Sequence, residues 1–233
     1  MAMTVDPGVT GGPWPVAGDG PLLADARLLR TAVLDSVRTS PDAFSRTFAE
    51  IEAKPASYWG GEVQASTWAV LEVEGDVVGI AAAKRPDPYT DPQDCEVARF
   101  IESVWIAPDQ RQRGFGQRLV EYLIETQLDE GFREFYLWVF EDNGRAIELY
   151  RRMGFEAAPV EPHLIYRADG SAMNEIQYRR LFDGAPNSGA RAVTSRSRRR
   201  DECKYKASYR LLRGRLDIEL EAPHGRGDGA HGR

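Results

Sequence analysis

Residues 102–125, ESVWIAPDQRQRGFGQRLVEYLIE, constrain this chain more than any other stretch. Val104-Trp105-Ile106 is an apolar run with a β-branched residue at each end, the composition of a strand. Ala107-Pro108-Asp109 breaks it, and a basic, glycine-bearing loop runs from Arg111 to Gly116. Leu119, Val120, Leu123 and Ile124 then recur at helical spacing. A strand that passes through glycines into a helix N-terminus is suited to hold an anion. The glycines let backbone approach a ligand closely, and the unpaired amides of the first helical turn point at it.

The rest of the chain supplies the elements around that unit. Residues 1–20 are rich in Gly and Pro without periodicity and read as a disordered leader. Leu22, Ala26, Leu29, Val33 and Val37 form a helical stripe. Ser40 and Pro41 are placed as N-cap and first residue of a second helix, through roughly Ala53 and ended by Lys54-Pro55. Thr67–Val73 and Val77–Ala83 read as strands joined by a turn at Glu74-Gly75-Asp76. A loop, Lys84 to Asp94, precedes a long strand from Glu96 to Ile106. After the loop and helix, Gly131 caps, a strand follows at Glu134–Phe140, and a helix runs from Asn143 to Met153. Phe155 begins another extended piece, and Asn174–Leu181 reads as the last strand of the domain. Within the remainder, Tyr205–Leu220 could form a short strand or helix. The succession describes a mixed α/β chain, with its domain over 21–183 and a basic low-complexity extension over 184–233.

Composition narrows the classes. Across 233 residues, 42% are hydrophobic and 28% charged, as in a soluble globular chain. No apolar run approaches the roughly 20 residues needed to span a bilayer. The N-terminus has no basic segment followed by an apolar core, so it is not a secretory signal, and a cytoplasmic setting is expected without a membrane partner. Cys95 and Cys203 lie far apart with no metal-ligand spacing, so no metal is expected. The net charge is −6; residues 184–233 carry twelve Lys and Arg against six Asp and Glu, which leaves −12 on residues 1–183. An acidic body with a basic tail is unlike a dedicated nucleic-acid binder, although SRSRRR at 195–200 offers phosphate contacts.

The glycine loop excludes two nucleotide sites on particular residues. A Walker loop needs Lys and then Ser or Thr after its last glycine, where Gln117-Arg118 stand, and a dinucleotide fingerprint needs glycine at 119, which is Leu. What stands is Arg111-x-x-Gly114-x-Gly116 after Val-Trp-Ile-Ala-Pro, and downstream Asn143-x-x-Ala146-x-x-x-Tyr150-x-x-x-Gly154-Phe155. Together these blocks resemble the acetyl-CoA site of the GCN5-related N-acetyltransferases, with the resemblance covering about residues 22–183.

That resemblance implies the GNAT, or acyl-CoA N-acyltransferase, fold: a mixed, mostly antiparallel central sheet flanked by helices. It implies acetyl-CoA as co-substrate and a primary amine, on a small molecule or peptide, as acceptor. The CoA pyrophosphate would lie on the backbone of Gln112, Arg113, Gly114, Phe115, Gly116 and Gln117, with Arg111 and Arg113 beside the phosphates. Val104 and Ile106 would pair with the pantetheine arm as with an added strand. Asn143 would bond pantetheine or face the substrate side, and Tyr150 would protonate the leaving thiolate. The amine must lose a proton to attack. Glu102, put on the face of Val104 by strand alternation, is the candidate base, directly or through water, with Glu96 a more distant second.

Blander readings stand beside these. Tyr150 also suits a core position, Asn143 an N-cap, Glu102 an ion pair with Arg99, and Arg111 and Arg113 a solvated loop. Trp105 and Trp138 read as core, and His163, His224 and His231 form no triad or metal cluster. The family's usual first strand, ahead of the first helix, is not recognisable, since proline interrupts Trp14-Pro15-Val16. The acceptor site is expected from the first two helices, the Lys84–Asp94 loop and the segment Pro159–Gly170. Two rivals remain, a non-catalytic acyl-CoA-binding module and an acetyltransferase for an RNA-linked amine such as aminoacyl-tRNA; a homodimer is compatible with all three.

Overall fold

The computed structural model of the chain describes residues 21–87, 91, 93, 96–166, 170–183 and 207–212. Its sheet grows from a hairpin. β1 (Thr67–Val73) and β2 (Asp76–Lys84) turn through Glu74 and Gly75, both at positive φ (56° and 97°), as a tight two-residue hairpin loop requires. β3 (Ala98–Ile106) lies antiparallel to β2 and parallel to β4 (Glu134–Phe140). β7 (Ala172–Leu181) runs antiparallel along β4 and carries the short β5 (Glu156–Ala157) and β6 (His163–Tyr166) on its other edge. The strand order is β5-β7-β4-β3-β2-β1-β8, with β8 at Ala207–Leu212.

Alternation along β1 divides two cores. Trp68 and Val70 meet α1 (Pro21–Thr39), α2 (Phe48–Glu52) and α3 (Ala56–Ala65) through Leu29, Val33, Ile51, Trp59 and Val63. Ala69 and Leu71 face α4 (Phe115–Asp129) and α5 (Gly144–Arg152), which bring Phe115, Leu119, Leu123, Ile147 and Tyr150. This is the expected mixed, mostly antiparallel sheet between helices.

Three departures have local causes. The second helix is not continuous from Pro41. Pro41–Ala43 makes one 3-10 turn, and α2 starts afresh where Thr47 and Glu50 cap each other's backbone amides in a capping box. Ser40 makes no side-chain cap. Lys54-Pro55 ends α2 but also opens α3, which carries Gly60-Gly61 mid-helix and is held by buried Trp59 and Val63. Finally, part of the expected low-complexity extension is sheet. β8 pairs antiparallel with β1 from Trp68↔Leu212 to Val73↔Ala207 and covers the edge that a strand ahead of α1 would have taken. Residues 1–20, Cys95, Cys203 and SRSRRR lie outside the described residues.

Candidate active site

The β3–β4 ladder stops early. Ala98, Arg99 and Phe100 pair with Glu134, Phe135 and Tyr136, and the pairing ends there. β3 continues to Ile106 against β2, and β4 continues to Phe140 against β7. The two strands therefore part at their carboxyl ends, leaving unpaired edges where open α/β sheets take up ligands. A bulge accompanies the parting. Ser103 and Val104 together stand opposite Ala81, and Ser103 adopts φ 53°.

The bulge decides which way the side chains point. Val104 packs with Ile101 and Ile106 in the core under α4, whereas Trp105 joins the core under α1 and α3. Glu102 lies opposite Ala82, on the α3 side, where Lys84 Nζ is 3.4 Å from its carboxylate and 3.1 Å from that of Glu62 on α3. The alternation that put Glu102 on the face of Val104 fails because one extra residue stands between them. Its ion-pair partner is Lys84, not Arg99, whose guanidinium stacks 3.3 Å over Phe132 and donates to the Ala98 carbonyl. Glu96 sits exposed in the turn before β3.

Past β3, Ala107 N donates to Val78 O at 2.8 Å. That bond turns the amide and carbonyl of Ile106 to the opposite edge, into the opening. Arg111 Nε takes the Ile106 carbonyl at 2.9 Å, and its Nη2 donates to Ser40 Oγ at 2.6 Å. The guanidinium expected beside phosphates is thus engaged by the protein and ties the loop to the end of α1. Gln112 and Gly114 adopt left-handed φ (61° and 78°), and Gly114 caps α4 without a side-chain bond. Among the described residues, the backbone amides of Gln112, Gly114, Gly116 and Gln117 have no acceptor. They form a concave group of donors at the positive end of a helix dipole. Phe115 is core, so only its backbone faces the loop, and Arg113 is exposed. A Cβ on Gly116 would stand 3.5 Å from Leu149 Cδ2 and 3.7 Å from Ile106 Cγ1, so α4, α5 and the end of β3 converge at this glycine.

On α5, Asn143 is the N-cap, accepting from Ala146 N at 3.2 Å, and its own amide returns to Phe140 O at the end of β4. Tyr150 is buried, its ring 5.8 Å from that of Phe155. Burial pushes its phenol well above the ordinary value, so it stays protonated near neutral pH. Burial pulls the Lys84 ammonium down, but Glu102 and then Glu62 outweigh this and hold it above its usual value.

Sequence reasoning missed Glu62, Lys84 and Glu175. The first two are separated by a turn and a strand, with nothing local to join them. Glu175 was open to inspection, because Glu175, Gln177 and Arg179 form a period-two polar face on β7.

Residues 33–155 match the Acetyltransferase (GNAT) family. The thialysine N-epsilon-acetyltransferase of Sus scrofa is 30% identical over 78 residues, 33% of this chain and 46% of that one. The chain spans less than half the length of the curated relatives it matches. Two solved structures share the fold. The ribosomal-protein-alanine N-acetyltransferase of Brucella melitensis has TM-score 0.55 and 22% identity over 69% of this chain and 96% of that one. The phosphinothricin acetyltransferase of Sinorhizobium meliloti, in complex with AcCoA, has TM-score 0.53 and 22% identity over 72% of this chain and 90% of that one.

Proposed function

This chain belongs to the Acetyltransferase (GNAT) family, and from that premise we propose that it transfers an acetyl group from acetyl-CoA to a primary amine held in the same opening. The observation that carries this reading is the group of unpartnered amides at Gln112, Gly114, Gly116 and Gln117, set where β3 and β4 part. An amide concavity at a helix N-terminus suits a pyrophosphate, and an unpaired strand edge suits the amide-bearing pantetheine arm. Acetyl-CoA supplies an acetyl thioester already activated for attack.

The residues then divide the work. The edge of β3 at Val104 and Ile106 aligns the arm and offers an amide to the negative charge that grows on the acetyl oxygen. Glu102, on the α3 side, takes the proton that the amine must lose, directly or through water. Lys84, 3.4 Å away, fixes the position of that carboxylate. Tyr150, held protonated, donates a hydrogen bond to the departing sulfur. Full transfer from so weak an acid to a thiolate of ordinary pKa, about 8.5, runs uphill, so the hydrogen bond is its main contribution. Asn143 caps α5 and so fixes the helix that carries Tyr150.

The proposed domain comprises residues 21–183 together with the strand 207–212. Among the described residues no helix is long and apolar enough to cross a membrane, and a cytoplasmic enzyme fits the sequence. The test is Gly116→Asp. A carboxylate in the first turn favours the helix by roughly 0.3–1 kcal/mol but repels a pyrophosphate. Calorimetric titration should show acetyl-CoA affinity falling at least tenfold, and thermal denaturation should show that the variant still unfolds cooperatively, since the new side chain starts at ordinary contact distance from Leu149 and Ile106. Unchanged affinity would overturn the loop assignment. Release of free CoA thiol with a panel of amines separates an enzyme from a module that only binds.

A further inference from the structure

Glu102 shares its face of the sheet with residues on the far side of the opening. Phe100 pairs with Tyr136 and stacks on it at 5.6 Å, so alternation puts Trp138 and Phe140 on the same face. Across β7, Phe140 pairs with Glu175 and Trp138 with Gln177, and His163 on β6 pairs with Glu175 in turn. Trp138 and His163 stack at 3.9 Å. Glu175 is half-buried, and its carboxylate has neither hydrogen bond nor ion pair among the described residues. Beside it Asp91 and Gln93, after β2, and Val160 and Glu161, before β6, line an open cavity of about 220 Å3. At roughly 30 Å3 per water that is room for about seven, the size of a short aliphatic chain.

The lining joins acidic and amide side chains to apolar and aromatic surface. Among the described residues it comprises Asp91, Gln93, Trp138, Val160, Glu161, His163 and Gln177, with no Lys or Arg. Gln93 Nε2 donates to Gln177 Oε1 at 3.4 Å, while Gln93 Oε1 is buried with no donor. Carboxylates, an orphaned amide oxygen and aromatic rings suit a group that brings only donors and a positive charge. We propose that this cavity, with Glu175 beside it, receives a second, non-reacting cationic group of the acceptor, so that the substrate is a small diamine rather than a monoamine. Burial, and then the charge of Glu102, hold the Glu175 carboxyl above its usual range, and a bound cation offsets both.

The reacting amine rests on the acetyl-transfer reading above, but the subsite can be tested apart from it. Diaminobutane and butylamine are titrated calorimetrically into the full chain, with acetyl-CoA titrated separately. Diaminobutane should bind at least about tenfold more tightly than butylamine, the scale of one hydrogen bond to a charged group. Glu175→Gln should bring it down to the butylamine level and leave acetyl-CoA affinity unchanged. Glu161→Gln, on an exposed side chain, should weaken diaminobutane in the same direction and guards against a folding defect at Glu175. Equal binding of the two amines, or no binding of either, overturns the subsite while leaving acetyl transfer intact. Tight diaminobutane binding without acetyl-CoA binding supports the subsite and overturns the acetyl-transfer reading alone.

Discussion

Tyr150 tests at the scale of one residue whether the proposed site and the core share a side chain. Its ring is packed into the core under α5, while its hydroxyl has no hydrogen-bond partner among the described residues. Removing an unpartnered hydroxyl costs little stability, so Tyr150→Phe should leave the melting temperature and acetyl-CoA affinity unchanged. Turnover should fall about a hundredfold if the hydroxyl serves the departing sulfur. Steady-state kinetics with parallel calorimetry decides; a lowered melting temperature with turnover kept would leave Tyr150 as core alone. Glu175 makes a second residue-scale claim. Its folded carboxyl holds a proton more tightly than the ordinary group at 4.5. That contribution is full below the unfolded pKa and is lost as pH rises through the folded one. Glu175→Gln escapes the loss, so urea denaturation near pH 7 should find the variant at least as stable as the parent. The difference should shrink as pH falls toward about 4.

At the scale of elements, the bulge on β3 and the tie from Arg111 set the shape of the opening. Arg111 joins Ile106 to Ser40, which lies 71 residues away in sequence. A merely solvated arginine could be lost within roughly 0.5 kcal/mol. Arg111→Ala should instead destabilise the ligand-free chain by about 1–3 kcal/mol in urea denaturation, since a part-buried carbonyl loses a charged donor. Neither feature was legible in the sequence. Apolar, β-branched runs located β1, β2, β3 and β4, which are covered largely on both faces, and helical periodicity located α4 and α5, which each bury one stripe. The bulge depends on a single positive φ at Ser103, a residue that announces no such conformation, and it reversed the expected face of Glu102. α3 was hidden by Gly60-Gly61, whose poor helix propensity is overridden by the burial of Trp59 and Val63. The loop proposed to hold acetyl-CoA was legible because its glycines and its neighbours are contiguous. The proposed acceptor side was not, because β2, β3, β4, β6 and β7 each contribute a residue or two.

At the scale of the whole molecule, β8 changes what the C-terminal segment is. Its burial alternates along Ala207–Leu212, within the Tyr205–Leu220 stretch that the sequence leaves open to a short strand or helix, but the surrounding Arg, Ser and Gly content does not decide between the two. Leu212 is fully buried among the α1 and α3 side chains, Tyr209 meets Tyr122 of α4 at 5.1 Å, and Arg210 pairs with Asp25 of α1. One strand therefore fastens helices from both faces to the edge of β1. A search for nucleic-acid binding by the basic tail should replace the arginines of SRSRRR and keep residues 207–212, because removing 184–233 would also strip the sheet. Burial of Leu212 alone suggests that Leu212→Ala loses about 2–5 kcal/mol. A chain ending at Asp183 should melt lower by roughly 10 °C and self-associate, since an uncovered β1 edge presents unpaired backbone to other copies. Thermal denaturation and size-exclusion chromatography measure both. If the shortened chain keeps its midpoint and stays monomeric, β1 needs no partner, and the sheet ends at β1 rather than at β8.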